Sequence, residues 1–143
     1  MQIQHWTTQT PLTGLLPVNE CRQITMKNTQ ILRLILGDQL NPQHSWYRQP
    51  NNDVVYLIAE LHQEANYVKH HVQKLCGFFA AMKSFAEQLN SAGHRVEYRT
   101  LDDTQKYKDL EDLIVSLCSE HHIQQFEYQQ PDEYRLTQQL QSL

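Results

Sequence analysis

The sequence predicts an α/β protein, a Rossmann-like or flavodoxin-like three-layer sandwich built on a parallel sheet of about four strands. Two observations come from the segments 31–36, which is almost entirely apolar, and 53–60, which has a continuous apolar centre. Both have the length expected for strands buried on both faces. The third is that helical patterns, the longest at 64–89 and 107–122, alternate with the strands. Strands that alternate with helices imply right-handed crossovers and therefore parallel pairing.

The first strand, Ile31–Leu36, ends directly in the turn Gly37–Leu40, which has the sequence GDQL. Gly37 can take a backbone angle that other residues resist. The sequence leaves two roles open for Asp38, which can cap a following helical turn or accept hydrogen bonds from a ligand. Because ligands in open α/β sheets bind at the carboxyl ends of the strands, this turn is the first candidate for a binding site.

The polar segment Asn41–Asn52 is predicted to be a loop with a helical turn at Gln43–Tyr47, so no long helix covers the crossover to the next strand. The second strand, Asp53–Glu60, is rich in β-branched and aromatic residues. The helix Glu64–Leu89 carries an apolar stripe that is expected to pack on the sheet. Gly93 follows this helix at the place where a C-terminal cap is expected.

The remaining chain adds two strands and two helices. His94–Thr100 alternates polar and apolar residues, as a strand with one wetter face does, and a turn and helix start follow at Leu101. Tyr107–His122 is the next predicted helix, and Gln125–Tyr128 is a short fourth strand. The segment 131–133, Pro-Asp-Glu, opens a last helix, because proline and acids suit the first turn.

With the strand order 3-2-1-4, two loops come together where the direction of winding reverses. The turns Gly37–Leu40 and Gln129–Arg135 are expected to lie side by side there. Glu60, Glu64 and Glu133 are expected to border the same crevice. Acids and backbone amides at such a place can hydrogen-bond a small heterocycle or its hydroxylated chain, so the crevice is the predicted ligand site.

Composition argues against several classes of protein. The formal net charge is −4 and lysine and arginine form no basic stripe, which is atypical of a chain that grips DNA by itself. No apolar stretch approaches the roughly 20 residues of a membrane-spanning helix, and no secretory signal is recognisable. The three cysteines, Cys21, Cys76 and Cys118, are widely spaced, which argues against a disulfide framework. We expect a cytoplasmic protein with free thiols that contacts neither nucleic acid nor membrane.

Residues 1–30 show no sustained period of a helix or strand and are predicted to form a loosely ordered extension, with residues 31–143 as the α/β domain. Met26 lies shortly before the first strand, which suggests the hypothesis that translation begins there. Detection of peptides from residues 2–22 in the native protein by mass spectrometry would exclude this start.

Motifs of common catalytic classes are absent from the sequence, including GxSxG, the P-loop and a GxGxxG after the first strand. Adjacent His70 and His71 point about 100° apart on a helix and cannot comfortably share one metal ion. His121 and His122 are expected to interact with the terminal carbonyls of their helix. We therefore predict no catalytic residue and no metal site.

Four segments, in order and with few gaps, resemble one known family. They are ILRLILGDQLNPQHSW, EANYVKHHVQKLCGFFAAMKSFAEQL, AGHRVEYRTLDD and PDEYR. Together they are similar to the amino-terminal domain of the photolyase-related proteins, the bacterial (6-4) photolyases and cryptochromes that carry an iron–sulfur cluster. The resemblance runs from about Ile31 to Leu136. It departs from the family pattern at Asp132 and Tyr134, where members typically have Gly and Trp.

This resemblance implies a function in light harvesting. The amino-terminal domain of the family holds an antenna chromophore, 6,7-dimethyl-8-ribityllumazine, which passes excitation to a flavin that repairs damaged DNA. By position, Leu40 and Tyr67 are the first candidates for apolar walls around its ring. The cofactor-binding residues that the resemblance implies are Gly37, Asp38, Gln39, Leu40, Glu60, Glu64 and Tyr67.

Members of the family are several times longer, and their helical carboxy-terminal part binds FAD and a 4Fe-4S cluster and meets the DNA. The resemblance therefore implies a truncated antenna domain that is not catalytic alone. Its partners would be the chromophore and, if the gene is split, a separately encoded FAD-binding helical domain. Two alternatives stay open: a stand-alone interaction or regulatory domain, and a gene remnant without chromophore.

Overall fold

The computed structural model describes residues 31–62 and 72–143. The strands of this part of the chain are β1 (Ile31–Leu34), β2 (Val54–Ala59), β3 (Arg95–Arg99) and β4 (Gln125–Tyr128). They form a four-stranded sheet with the order β3-β2-β1-β4, and every neighbouring pair is parallel. Both the α/β class and the strand order predicted from the sequence are confirmed.

The helices lie between and after the strands, as the apolar periodicity predicts. They are α1 (Val72–Ser91), α2 (Leu101–Thr104), α3 (Leu110–Glu120) and α4 (Tyr134–Gln141), with a short 3-10 turn at Ser45–Tyr47. The extension predicted for residues 1–30 and the start of the helix predicted from Glu64 lie outside the described residues.

β1 and β4 end at the same level of the sheet, and β2 continues beyond it to Ala59. Leu34 of β1 is in register with Leu57 of β2 and with Tyr128 of β4. β1 is shorter than predicted, although Ile35 and Leu36 stay buried and the Ile35 amide still donates to the Leu57 carbonyl at 2.9 Å. The loops that follow β1 and β4 therefore start beside each other.

Helices cover both faces of the sheet, and β2 is consequently buried along its whole length. On one face Tyr56 packs in a cluster with Phe85 and other residues of α1. On the other face Leu57 packs with Leu117 of α3 and Leu140 of α4. This alternation of β2 side chains between two clusters produces the three layers.

The crossover from β1 to β2 is covered by the aromatic 3-10 turn in place of a helix. The rings of Trp46 and Tyr47 lie 6.4 and 5.3 Å from the ring of Tyr56. The Tyr56 hydroxyl donates a 2.7 Å hydrogen bond to the Trp46 carbonyl. The Arg33 guanidinium stacks over Trp46 at 4.9 Å and pairs with Glu127 of β4 at 2.7 Å, which ties β1 to its outer neighbour.

Gly37 and Gly93, which follow β1 and α1, are required for different reasons. Gly93 has φ +90° and ends α1, as predicted, because a left-handed cap favours glycine. Gly37 does not use the backbone freedom that glycine offers, since its φ is not positive. A Cβ at Gly37 would instead lie 2.7 Å from Phe78 Cε1 and 2.9 Å from Met82 Sδ. Gly37 is needed because α1 packs directly against the turn.

Candidate functional site

A crevice of about 340 Å³ opens between the loops that follow β1 and β4, at the point where the strand order reverses. Parallel α/β sheets bind ligands at this place because the loops diverge there to opposite faces. The predicted proximity of the turns at 37–40 and 129–135 is confirmed. The crevice is lined by Asp38, Gln39, Leu40, Asn41, Gln129, Gln130 and Asp132.

Gln39 joins the two walls of this crevice. Its carboxamide oxygen accepts from the Leu36 amide at 3.2 Å, and its nitrogen donates to the Gln129 carbonyl at 3.1 Å and to the Gln130 carbonyl at 3.4 Å. These bonds involve both the oxygen and the nitrogen of the carboxamide. Gln39 therefore holds the two loops together, and its main contact with a ligand would be van der Waals packing.

Asp38 and Asp132 place carboxylates on opposite walls of the crevice. Both residues are exposed. The Asp38 side chain makes no hydrogen bond to the residues that the structure describes, and it caps no helix there. The sequence left two roles open for Asp38, capping a helical turn or accepting hydrogen bonds from a ligand. The local geometry is compatible with the second. Leu40 is half-buried against the α1 side of the core and supplies an apolar wall.

Glu60 follows β2 at the same edge of the sheet but does not line the crevice. Its carboxylate accepts from the Tyr98 hydroxyl and, at 3.0 Å, from the Leu101 amide. Its backbone carbonyl accepts from the Thr104 hydroxyl at 2.7 Å. Burial and the adjacent carboxylate raise the pKa of Tyr98, which keeps its hydroxyl protonated as a donor. These contacts give Glu60 a structural task, the anchoring of α2 to the end of β2.

The other predicted acids are placed differently. Glu133 forms an ion pair with Arg135 at 3.0 Å, and its neighbour Asp132 contributes to the crevice in its stead. Glu64 and Tyr67 lie outside the described residues, so their part in the site stays a prediction.

The histidines of the described residues do not assemble a metal site. No group of three or more His, Cys, Asp and Glu side chains there could hold an ion. The sequence predicts that His121 interacts with the terminal carbonyls of its helix. Its ring instead lies 3.0 Å from the Glu97 carboxylate of β3. A partner distant in sequence explains the difference. His70 and His71 lie outside the described residues.

A second surface feature is an apolar groove between α3, β4 and the C-terminal end of the chain, with a volume of about 620 Å³. Val115 on its rim is 53% exposed, and burial raises the pKa of the half-buried Cys118 thiol. The apolar groove is lined by Ile114, Val115, Cys118, Ser119, Ile123, Phe126, Tyr128, Leu140 and Leu143.

The sequence places the turn Gln129–Arg135 at the crevice, but Asn41, Gln129 and Gln130 were not among the predicted binding residues. The signal that could have found Gln129 and Gln130 was their position directly after β4, since side chains in the first residues of such a loop can face the crevice. Asn41 lies beyond the turn Gly37–Leu40, so its position gives no such signal.

A parallel sheet with helices on both faces defines an α/β domain of the Rossmann-like class, and a polar crevice lies at the reversal point of its strand order. Residues 33–143 match the family model of the deoxyribodipyrimidine photo-lyase-related proteins, and the chain belongs to that family. A (6-4) photolyase of Agrobacterium fabrum (strain C58) is 42% identical over 74 residues, which are 50% of this chain and 14% of the relative. This chain therefore matches a small part of the length of that relative. Among the described residues, no helix has the length and apolar character needed to cross a bilayer.

Proposed function

We propose that this chain is the light-antenna part of a photolyase-related protein and binds 6,7-dimethyl-8-ribityllumazine in the crevice between the loops after β1 and β4. The observation that carries the proposal is the Asp38 carboxylate, which lines the crevice at the reversal point of the sheet without a hydrogen bond to any described residue, in a segment that matches this family. When bound, the pigment supplies absorption of near-ultraviolet or blue light. The chain supplies the site that holds and orients it.

The residues of the crevice suit such a ligand in three respects. Its volume of about 340 Å³ lies near the lower end of the range of roughly 300–1,000 Å³ that small-molecule sites occupy. The carboxylates of Asp38 and Asp132 can accept hydrogen bonds from the ribityl hydroxyls. Leu40 can pack against the ring, and we propose Tyr67 as the facing wall and Glu64 as a further acceptor.

Repair of DNA belongs to the proposal only at the level of the whole protein. The family resemblance implies that FAD and a 4Fe-4S cluster are held by a helical region other than residues 1–143. We propose that this region, in the same or a separate polypeptide, receives the excitation and performs the chemistry. Lumazine binding can be tested without it.

The test is titration of the purified protein with the lumazine, followed by absorbance and fluorescence. We expect a shifted absorption band and quenched emission at micromolar ligand. Asp38→Ala or Glu64→Ala should weaken binding by roughly 1–3 kcal/mol if the lost carboxylate makes a buried hydrogen bond. Asp53→Ala is the matched control, because Asp53 is an exposed acid at the other end of the sheet.

Two results would overturn this function. The first is an unchanged spectrum of the lumazine at micromolar concentrations of the wild-type protein. The second is lumazine binding that neither Asp38→Ala nor Glu64→Ala weakens. This result would refute the assignment of the binding site even if the ligand were correct.

A second candidate, an interaction domain, is favoured by the apolar groove beside β4. Exposed apolar area of this kind commonly marks a protein contact. The partner that the family resemblance implies is the FAD-binding helical region. If that region binds this chain in trans, Val115→Glu should weaken the complex and leave lumazine binding unchanged, as isothermal titration calorimetry would measure.

A further inference from the structure

We infer that Gln129 is a specificity-determining residue of the crevice, whose carboxamide N–H donates to an acceptor atom of the bound heterocycle, a ring carbonyl oxygen or a ring nitrogen. This inference rests on the proposed function, since it concerns the same site. It goes beyond that function because it names the donor that distinguishes such a heterocycle from an equally shaped molecule without the acceptor.

The first support is a hydrogen-bond deficit at this side chain. Gln129 lines the crevice, and its Nε2 atom is buried without a hydrogen-bond partner among the described residues. Most buried polar groups in native proteins are paired, and an unpaired amide donor is unfavourable for the free protein. A donor left unpaired at the wall of a ligand site is accounted for if the ligand supplies the acceptor.

The second support is the contrast between Gln129 and Gln39, another amide of the crevice. The carboxamide of Gln39 is committed to the loops, with its nitrogen bonded to the carbonyls of Gln129 and Gln130. The carboxylates of Asp38 and Asp132, when ionised, can only accept hydrogen bonds. Asn41 and Gln130 also carry amide donors, but both residues are exposed, so water can pair with them in the free protein. The Gln129 donor is buried, and a ring carbonyl that enters the crevice would supply the acceptor that it lacks among the described residues.

The backbone around Gln129 is fixed while its side chain can turn. The preceding residue, Tyr128, pairs with Leu34, and the Gln129 carbonyl is held by Gln39. The terminal torsion of a glutamine joins an sp³ to an sp² carbon and is broad, so the amide can rotate toward the crevice at low cost. A fixed backbone with one adjustable donor is suited to selecting a ligand by its acceptor.

The binding test compares Gln129→Met and Gln129→Glu with the wild-type protein, using lumazine and riboflavin as probes. Both probes carry ring carbonyls and a ribityl chain. We expect each variant to weaken binding about tenfold, since methionine has no donor and an ionised glutamate offers only acceptors. Gln124→Glu is the matched control for charge, because Gln124 is exposed and precedes β4, at the opposite end of that strand from the crevice. It should change the affinity less than twofold.

A second measurement uses the protein without ligand. If Nε2 is unpaired in the free protein, Gln129→Met should melt at or above the temperature of the wild type. A clear fall in Tm would show that the carboxamide has a partner already, and would overturn the inference.

The outcomes separate this inference from the proposed function. If the wild-type protein binds lumazine and the Gln129 variants bind it equally well, only the inference fails. If the wild type binds riboflavin but not lumazine, and Gln129→Met weakens that binding, the proposed pigment fails while the role of Gln129 stands. If the wild type binds neither probe, both are overturned.

Discussion

Replacing Gly37 by alanine tests how closely α1 packs on the turn after β1. The added methyl group would meet the ring of Phe78 and lie 2.9 Å from Met82 Sδ, which is closer than carbon and sulfur can approach. Overpacking of this kind costs about 1–3 kcal/mol. Reduced freedom of the unfolded chain opposes it by about 0.4–1 kcal/mol, because the φ of Gly37 suits alanine. Since the half-buried Phe78 ring can yield, we expect a net loss of about 1 kcal/mol in the free energy of unfolding.

The assay is urea denaturation followed by circular dichroism, with Gly77→Ala as the matched control. A Cβ at Gly77, within α1, would meet nothing within 4 Å. Alanine should therefore stabilise the helix there by about 0.5–1 kcal/mol. The two Gly→Ala changes thus have opposite expected signs.

A Phe78→Ala background removes part of the contact, so Gly37→Ala should cost less stability there. Equal or greater stability of the single Gly37→Ala variant would refute the packing argument. So would the same loss in both backgrounds.

Three further changes probe the residues around α2. Tyr98→Phe removes a donor to the Glu60 carboxylate and should lower the free energy of unfolding by about 1–2 kcal/mol in urea with or without lumazine; an unchanged midpoint would contradict the structural role of Glu60. Thr104→Val leaves the Glu60 carbonyl without its hydroxyl donor and should cost about 1–3 kcal/mol in thermal melts, whereas Thr104→Ser keeps the donor and should cost less. The backbone amide and hydroxyl of Thr100 donate to Asp103 and lower the pKa of that carboxyl, so its stabilisation is present above the ordinary pKa and is lost as the pH falls through the lowered one. Wild type and Asp103→Asn should therefore differ in Tm at neutral pH. The difference should begin to shrink below about pH 4 and disappear as the pH falls through the lowered pKa, and a gap that stays constant would refute this.

The sheet and its order follow from local properties of the sequence. Apolar runs at 31–36 and 53–60 are long enough only for buried strands, and the helices between strands impose right-handed parallel crossovers. Few strand orders satisfy those constraints, so the meeting of the loops after β1 and β4 could be inferred without coordinates. The cap at Gly93 is also local, because it depends on the residue that directly follows a periodic helix.

The hydrogen-bond partners of the polar side chains at the strand ends were decided only by the tertiary structure. Glu60 and Gln39 have the residue types of ligand contacts, yet their hydrogen-bond partners are Leu101 and the Gln129 carbonyl, which stand 41 and 90 positions away in sequence. Position 37 likewise requires glycine because the Phe78 ring occupies the space that a side chain would need. Phe78 lies on a helix that reaches this turn only in the folded chain. Sequence spacing reports which side chains share an edge of the sheet. Which of them remain unengaged for a ligand depends on contacts made by distant segments, and those exist only after packing.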